Sequence, residues 1–492
     1  MPGTATDTAL HRGVRVALVF AAALGCSSAQ HAAPRDAGST SSDAAQPAAS
    51  DAGVHPRDAT VPIGAPDAAA RDSGVDASPA HDANTVPDSG GLDTGIDASA
   101  PAPKRPRLAT TGAQLRVTGE RLGLQLTRAN LSDDTDVFAV HLEFYGIPWA
   151  AFENDTAPPA EWAALMREFA DHAQQAARPV FLSINMLNGA RERLAATTRI
   201  ESGQVKTNDA TTATCYDFAT ASDRASKREA YLRYVDFMLD LFEPEYLNFA
   251  IEVNLFFEKC AAATPGLIAF MNSVYEHAKA KRPTAAVFPS FQIDHLYGYS
   301  KDSCPDQNQR DTCFDAHYAQ LKGIMRDRFA ISSYPFLNGI TSTSALPADW
   351  FARAPQRGAE RALIAETGWL ATPLTARGAG STCTTVFSFS EADSAAYLSR
   401  VLSDAKRLDL ELVTWWSDRD LVTSELMTDC PCDFDTTWCS VLDIFRGPAV
   451  PGMPNAQFYG EVLLKAFGSM GLRHYDGSPR TAHMAAWNAA RP

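Results

Sequence analysis

Past Arg105 the chain alternates short apolar runs with longer stretches of helical period, and this alternation constrains the fold more than any other feature. Runs that short and continuously apolar suit strands covered on both faces, and helical segments between them imply parallel strands joined by crossovers. The candidate strands are Leu122 to Leu126, Val137 to Phe144, Val180 to Asn185, Tyr246 to Glu252, Ala285 to Phe291, Phe329 to Tyr334, Ala362 to Glu366 and Leu412 to Trp416. Helices are expected at Pro159 to Ala177, Asp223 to Phe242, Gly266 to Lys281, Tyr318 to Arg328, Glu391 to Arg407 and Ala456 to Phe467. Ser390, with Asp393 three residues on, predicts a capped start to the fifth of these. Eight strands in such alternation read as an α/β fold, a (β/α)8 TIM barrel. The stretch from Thr127 to Asp136 is too short for a crossover helix, so either the first strand lies elsewhere or the barrel starts irregularly. An open doubly wound sheet fits the same alternation, but no Gly-x-Gly-x-x-Gly stands at a strand-to-helix turn to give it a nucleotide site.

The residues before the barrel have a different character. Arg12 and Arg15 precede the apolar run Val16 to Leu24, which is too short to span a bilayer. Ala23-Leu24-Gly25-Cys26 resembles a bacterial lipobox, which would make residues 1–26 a lipoprotein signal peptide ending at Cys26, the lipidated residue; an ordinary secretory signal is the alternative. Ser27 after the cysteine fits sorting to the outer membrane or cell surface. Residues 27–105, rich in Ala, Asp, Pro, Ser and Gly and without Trp, Tyr, Phe or Cys, cannot bury enough apolar surface to offset ordering and read as a disordered tether. Their irregularly spaced Asp-small-small units lack the fixed offsets of a calcium loop. The expected partner of the membrane is therefore a lipid anchor alone, with residues 106–492 as the folded domain, a monomer. A net charge of −15 and a pI near 5.2 argue against nucleic acid.

Of nine cysteines, eight remain after Cys26: Cys215, Cys260, Cys304, Cys313, Cys383, Cys430, Cys432 and Cys439. In an exported chain an even number favours disulfides, and Cys304 with Cys313 is the pairing expected first. A zinc site from the last four is the alternative, although Cys-x-Cys lacks the usual ligand spacing.

In a (β/α)8 barrel the chemistry sits at the C-terminal ends of the strands. Glu252 ends strand four in Leu247-Asn248-Phe249-Ala250-Ile251-Glu252-Val253-Asn254, and Glu366 ends strand seven in Ala362-Leu363-Ile364-Ala365-Glu366-Thr367-Gly368-Trp369. Strands four and seven face each other across the mouth, so the two carboxyls can flank one sugar. Glycoside hydrolysis with retention requires such a pair, one acid and one nucleophile, about 5 Å apart. A glutamate at a strand end is otherwise commonly a helix cap or an ion-pair partner.

The run Ala365-Glu366-Thr367-Gly368-Trp369 is similar to the nucleophile motif of retaining (β/α)8 glycoside hydrolases, notably the arabinogalactan endo-β-1,4-galactanases and the plant-type endo-β-1,3-glucanases. Ile331-Ser332-Ser333-Tyr334-Pro335-Phe336 resembles the galactanase segment whose tyrosine hydrogen-bonds the nucleophile. The resemblance implies Glu366 as nucleophile, Glu252 as acid/base, Tyr334 beside Glu366, a β-linked polysaccharide substrate and no cofactor. One departure stands out: the clan carries Asn before the acid/base, where it contacts the sugar 2-hydroxyl, and this chain has Ile251. Asn254 and Gln292 are the candidate substitutes, and a noncatalytic glycan-binding descendant is the rival reading. Trp369, Trp415 and Trp416 are candidate sugar platforms, although adjacent strand residues point to opposite faces and only one of Trp415 and Trp416 can face the mouth. Trp149, Tyr145 and Phe336 are weaker candidates. Glu143, Asp418 and Asp420 could bind hydroxyls or hold an arginine such as Arg419. His141 lies on the same side of its strand as Glu143, but no third metal ligand is identifiable, and no metal is expected.

Overall fold

The computed structural model describes residues 105–491 apart from 112–129, 421–426, 429–464 and a few short loop stretches. The expected signal peptide, Cys26 and the tether lie outside the described residues, as does the expected strand Leu122 to Leu126.

Eight parallel strands form the barrel: β1 (Arg107–Thr110), β2 (Phe138–His141), β3 (Val180–Ser183), β4 (Tyr246–Ala250), β5 (Ala286–Gln292), β6 (Phe329–Ser333), β7 (Ala362–Thr367) and β8 (Leu412–Trp415). From β2 to β8 each strand pairs with its sequence neighbour, and β8 returns to pair with β1, Arg107 facing Leu412. The seam between β1 and β2 closes through the Leu108 carbonyl, which accepts from Asp136 N at 2.7 Å and Val137 N at 3.2 Å. The first strand therefore lies earlier than expected. Arg-Leu-Ala-Thr has only two apolar residues, too weak a signal to stand out from the Pro-rich joint before it.

The helices around the sheet are α1 (Ala160–Gln175), α2 (Arg224–Phe242), α3 (Thr264–Lys281), α4 (Arg310–Gln320), α5 (Glu391–Arg407) and α6 (Thr481–Ala489). In α1, Trp162, Met166, Phe169 and Ala173 recur at helical spacing and face the sheet. At the start of α5 the Ser390 hydroxyl accepts from Asp393 N at 3.3 Å while Asp393 Oδ2 accepts from Ser390 N at 2.8 Å, the expected cap. α4 starts earlier than the expected Tyr318 to Arg328 and ends within it, at Gln320: Gly323, at φ 88°, sits in the turn that leads to β6. The helix expected at Ala456 to Phe467 lies mostly outside the described residues.

Inside the barrel Ala109, Val137, Ala139, Phe181, Tyr246, Ala286, Phe288, Ala330, Leu363, Ala365 and Leu412 form a closed apolar core. Stepping two residues at a time toward the strand ends, the inward positions turn polar: Ala139 leads to His141, Phe181 to Ser183 and Asn185, Phe288 to Ser290 and Gln292, Ala330 to Ser332 and Tyr334. The lower half is thus a sealed plug and the upper half a buried polar cup.

Two disulfides are described, the expected Cys304–Cys313 and also Cys215–Cys260. The arrangement of Cys383, Cys430, Cys432 and Cys439 lies outside the described residues and side chains.

Candidate active site

Glu252 reaches the cup through an irregularity in β4. Asn248 faces Phe288, yet Ala250 faces Pro289, so β4 carries one residue more than its partner, and Phe249 and Ala250 both join the helix-side core. The chain then turns, and Glu252 adopts a left-handed φ of 50°, costing a non-glycine residue about 1–2 kcal/mol. Ser290 holds that turn, its Oγ accepting from Glu252 N and its carbonyl from Val253 N, both at 3.1 Å. The carboxyl accepts from Ser332 Oγ at 2.7 Å through Oε1 and from Arg191 Nη2 at 3.2 Å through Oε2.

Glu366 is delivered the same way. Ile364 lies opposite both Ile331 and Val413, while Ser332 and Trp415 lie opposite Glu366 and Thr367, so β7 has an extra residue relative to both neighbours. Ala365 stays in the interior core, Glu366 follows it inward, and the Thr367 hydroxyl lies outside, 2.9 Å from Tyr397 Oη on α5. Glu366 Oε1 accepts from Tyr334 Oη at 2.5 Å, and Oε2 lies 3.6 Å from His141 Nδ1. The glycine of Glu-Thr-Gly-Trp has a steric reason: a Cβ on Gly368 would stand 2.9 Å from the Trp416 carbonyl and 2.6 Å from Met470 Sδ.

A buried chain of charges connects the two carboxyls. Glu143, in the short turn after β2, receives both terminal nitrogens of Arg191, Nη1 on Oε1 and Nη2 on Oε2, the latter at 3.1 Å. His141 Nε2 lies 3.5 Å from Glu143 Oε2, and Asn185 Nδ2 donates to Oε1 at 3.3 Å. The order is therefore Glu366, His141, Glu143, Arg191, Glu252. Arg191 comes from the loop after β3, itself at a left-handed φ of 54°. That loop is tied to the helix Asn254–Lys259 by the Cys215–Cys260 disulfide and by Lys259 Nζ on the Ala190 carbonyl at 2.7 Å.

Burial would raise the Glu143 carboxyl, but Arg191 and His141 outweigh it and hold it at about 2. Burial and the like charge of Glu252 raise Glu366 to about 7, against His141 and Tyr334, which pull it down. Burial would lower His141, and the Glu366 and Glu143 charges raise it instead. Tyr334 is raised by burial and by Glu366, so it remains a donor. Asp294 accepts Tyr334 N at 3.1 Å and is raised by burial to about 7.

The candidates of the sequence divide accordingly. Glu252, Glu366 and Tyr334 meet in one cup, with Trp416, whose indole stands edge-on to His141 at 5.8 Å between centroids. The Gln292 amide is buried with no hydrogen-bond partner among the described residues. Three other candidates point elsewhere. The Asn254 amide is spent on the backbone of Gln292, donating to its carbonyl at 2.9 Å and accepting from its N–H at 2.8 Å. Trp369 packs into the core against Phe389 and Tyr397, at 5.1 and 4.9 Å. Trp415 faces the helix side, giving its Nε1–H to the Met470 carbonyl at 2.8 Å. Trp149, Tyr145 and Phe336 are likewise core residues. Asp420 holds Arg480 at 2.5 Å rather than Arg419. His141 and Glu143 gain no third ligand: among the described residues no group of three His, Cys, Asp or Glu side chains could hold a metal.

Sequence reasoning missed Arg191, Ser332, Ser290 and Asp294. Ser290 and Ser332 each stand two residues before an inward polar residue that was picked out, so strict alternation would have found them. Arg191 lies beyond an Asn-Gly turn, where no periodicity applies.

No family model matches this chain, and no curated protein matches it. Among solved structures it is similar to the GH5_18 protein of Streptomyces cattleya in complex with Manβ1-4GlcNAc, at 15% identity over 78% of this chain and 80% of that one, TM-score 0.44. It is also similar to an exo-β-1,4-mannosidase from an Opitutaceae bacterium, at 12% identity over 79% and 59%, TM-score 0.46. A β-glucuronidase of Bacteroides uniformis matches at 11% identity over 79% and 35%, TM-score 0.40. The assignment of this chain to the (β/α)8 fold rests on its own strand order and register.

Proposed function

We propose that the barrel hydrolyses a β-linked polysaccharide with retention, with Glu366 as nucleophile and Glu252 as acid/base. The observation that carries this reading is the convergence of the two carboxyls, from opposite strands, into one buried cup, each held by its own hydroxyl donor, Ser332 on β6 or Tyr334 just past its end. Tyr334 occupies Oε1 of Glu366, which leaves Oε2 to attack the anomeric carbon. Glu252 gives its proton to the glycosidic oxygen as that bond breaks, and a glycosyl ester forms on Glu366. Glu252, now ionised, takes a proton from water, which attacks the same carbon and frees Glu366. The Glu252 charge raises the Glu366 carboxyl, so a negative charge on one of the pair opposes a negative charge on the other.

β-1,4-Galactan and β-1,3-glucan are the leading substrates, from the motif resemblance. The apolar run before Cys26 supports export with a lipid anchor at the outer membrane or cell surface. The test is reducing-sugar release by the full chain from β-1,4-galactan, β-1,3-glucan, β-mannan and xylan, alongside Glu366→Ala. Release from one polymer that disappears in the variant supports the reading; undiminished release by the variant refutes it. Ile251 supports the second reading, a glycan-binding barrel without turnover, and binding of one polymer with no release would establish that instead.

A further inference from the structure

Within the proposed hydrolase, Glu143 belongs to neither of the reacting positions, yet its carboxylate touches the side-chain partner of each. Arg191 can serve Glu252 only through Nη2, at 3.2 Å, because Glu143 takes both terminal nitrogens. His141 stands between Glu143 and Glu366, with Nε2 toward one and Nδ1 toward the other. Glu143, His141 and Arg191 are each under 6% exposed in their side chains, so water does not screen them.

We propose that Glu143 is a positioning residue of this reaction: by holding Arg191 and His141 at once it sets how negative charge is divided between Glu252 and Glu366. An arginine left to Glu252 alone would stabilise the carboxylate and oppose its use as an acid. Glu143 neutralises that arginine, so Glu252 can take up a proton without stranding a buried cation. On the other side, Glu143 favours the imidazolium form of His141, which in turn favours the ionised, attacking form of Glu366. Two further charged groups act on Glu252, Lys259 on the helix that follows it and Asp294 just past the end of β5.

This inference rests on the proposed hydrolase, but its test reads protons first. The full chain, labelled with 13C at the glutamate δ-carbon, is titrated, with Glu252 and Glu366 assigned from Glu252→Gln and Glu366→Gln. In Glu143→Gln the Glu252 carboxyl should ionise at lower pH and Glu366 at higher pH, each by about tenfold in proton concentration. In Arg191→Met, Glu252 should move the other way. On the polymer the wild type cleaves, the pH profile of kcat/KM in Glu143→Gln should narrow from both sides, whereas a merely structural loss would lower it evenly. Unmoved titrations in folded variants, or an even loss, overturn the proposal. Should the wild type cleave nothing while both titrations move as stated, the coupling stands and the hydrolase reading falls. If Glu143→Gln does not fold, the Arg191→Met titration alone decides: an unmoved Glu252 overturns the proposal.

Discussion

Tyr334 donates its phenolic hydroxyl to Glu366 Oε1 across the β6–β7 boundary, and its own backbone N–H is anchored on Asp294. The donor favours the ionised carboxylate, so its removal lets burial raise Glu366 further. Tyr334→Phe should therefore lose activity most at acidic pH, with kcat/KM falling about 10²-fold near pH 5 and less above pH 8. A pH profile of the variant decides it, and an equal loss at every pH would assign Tyr334 to packing.

Removing either carboxyl should differ chemically as well as quantitatively. Glu252→Ala should slow hydrolysis of an unactivated polymer about 10²–10⁴-fold. Added azide should then trap the glycosyl-enzyme and yield a glycosyl azide of retained configuration, identifiable by NMR. An azide product of inverted configuration from this variant would exchange the roles of Glu252 and Glu366.

Asp294 gives stability a definite slope. Its carboxyl is raised to about 7 in the fold against about 3.9 in an unfolded chain, so the stability it supports is full below about pH 4 and is lost as pH rises through 7. Glu143, held at about 2, works in reverse, losing its contribution as pH falls below about 4. Asp294→Asn keeps an acceptor for Tyr334 N and should unfold at a higher temperature than wild type at pH 8, with the two coinciding near pH 4. Melting curves that stay parallel at both pH values would remove Asp294 from the account.

The Cys215–Cys260 bridge closes a separation of 45 residues, for which chain entropy predicts about 4 kcal/mol. It also ties the loop that carries Arg191. Cys215→Ala with Cys260→Ala should lower the melting temperature and, assayed well below that temperature, should reproduce the pH shift of Arg191→Met in part. Loss of stability with an unchanged profile would make the bridge a staple only.

Seven of the eight strands were legible because each is a run of apolar residues long enough to exceed its surroundings; Arg107–Thr110 is not. Glu252, Glu366 and Tyr334 were legible as polar residues closing such runs. Trp369 was misread because alternation does not carry past the extra residue in β7, whereas Trp415 obeys alternation, facing outward three residues after the inward Leu412 and leaving Trp416 to the cup. Asn254 looked available until its amide was seen clamping Gln292. Arg191 depends on where a long loop returns, which is a property of the assembled barrel and not of any local pattern.

The extra residues in β4 and β7 make the two proposed catalytic strands the ones that break step with their neighbours. In β7 the apolar lower half and the carboxyl end are written in different phases, Leu363 and Ala365 against Glu366, and the extra residue is the frame shift that lets both be read inward.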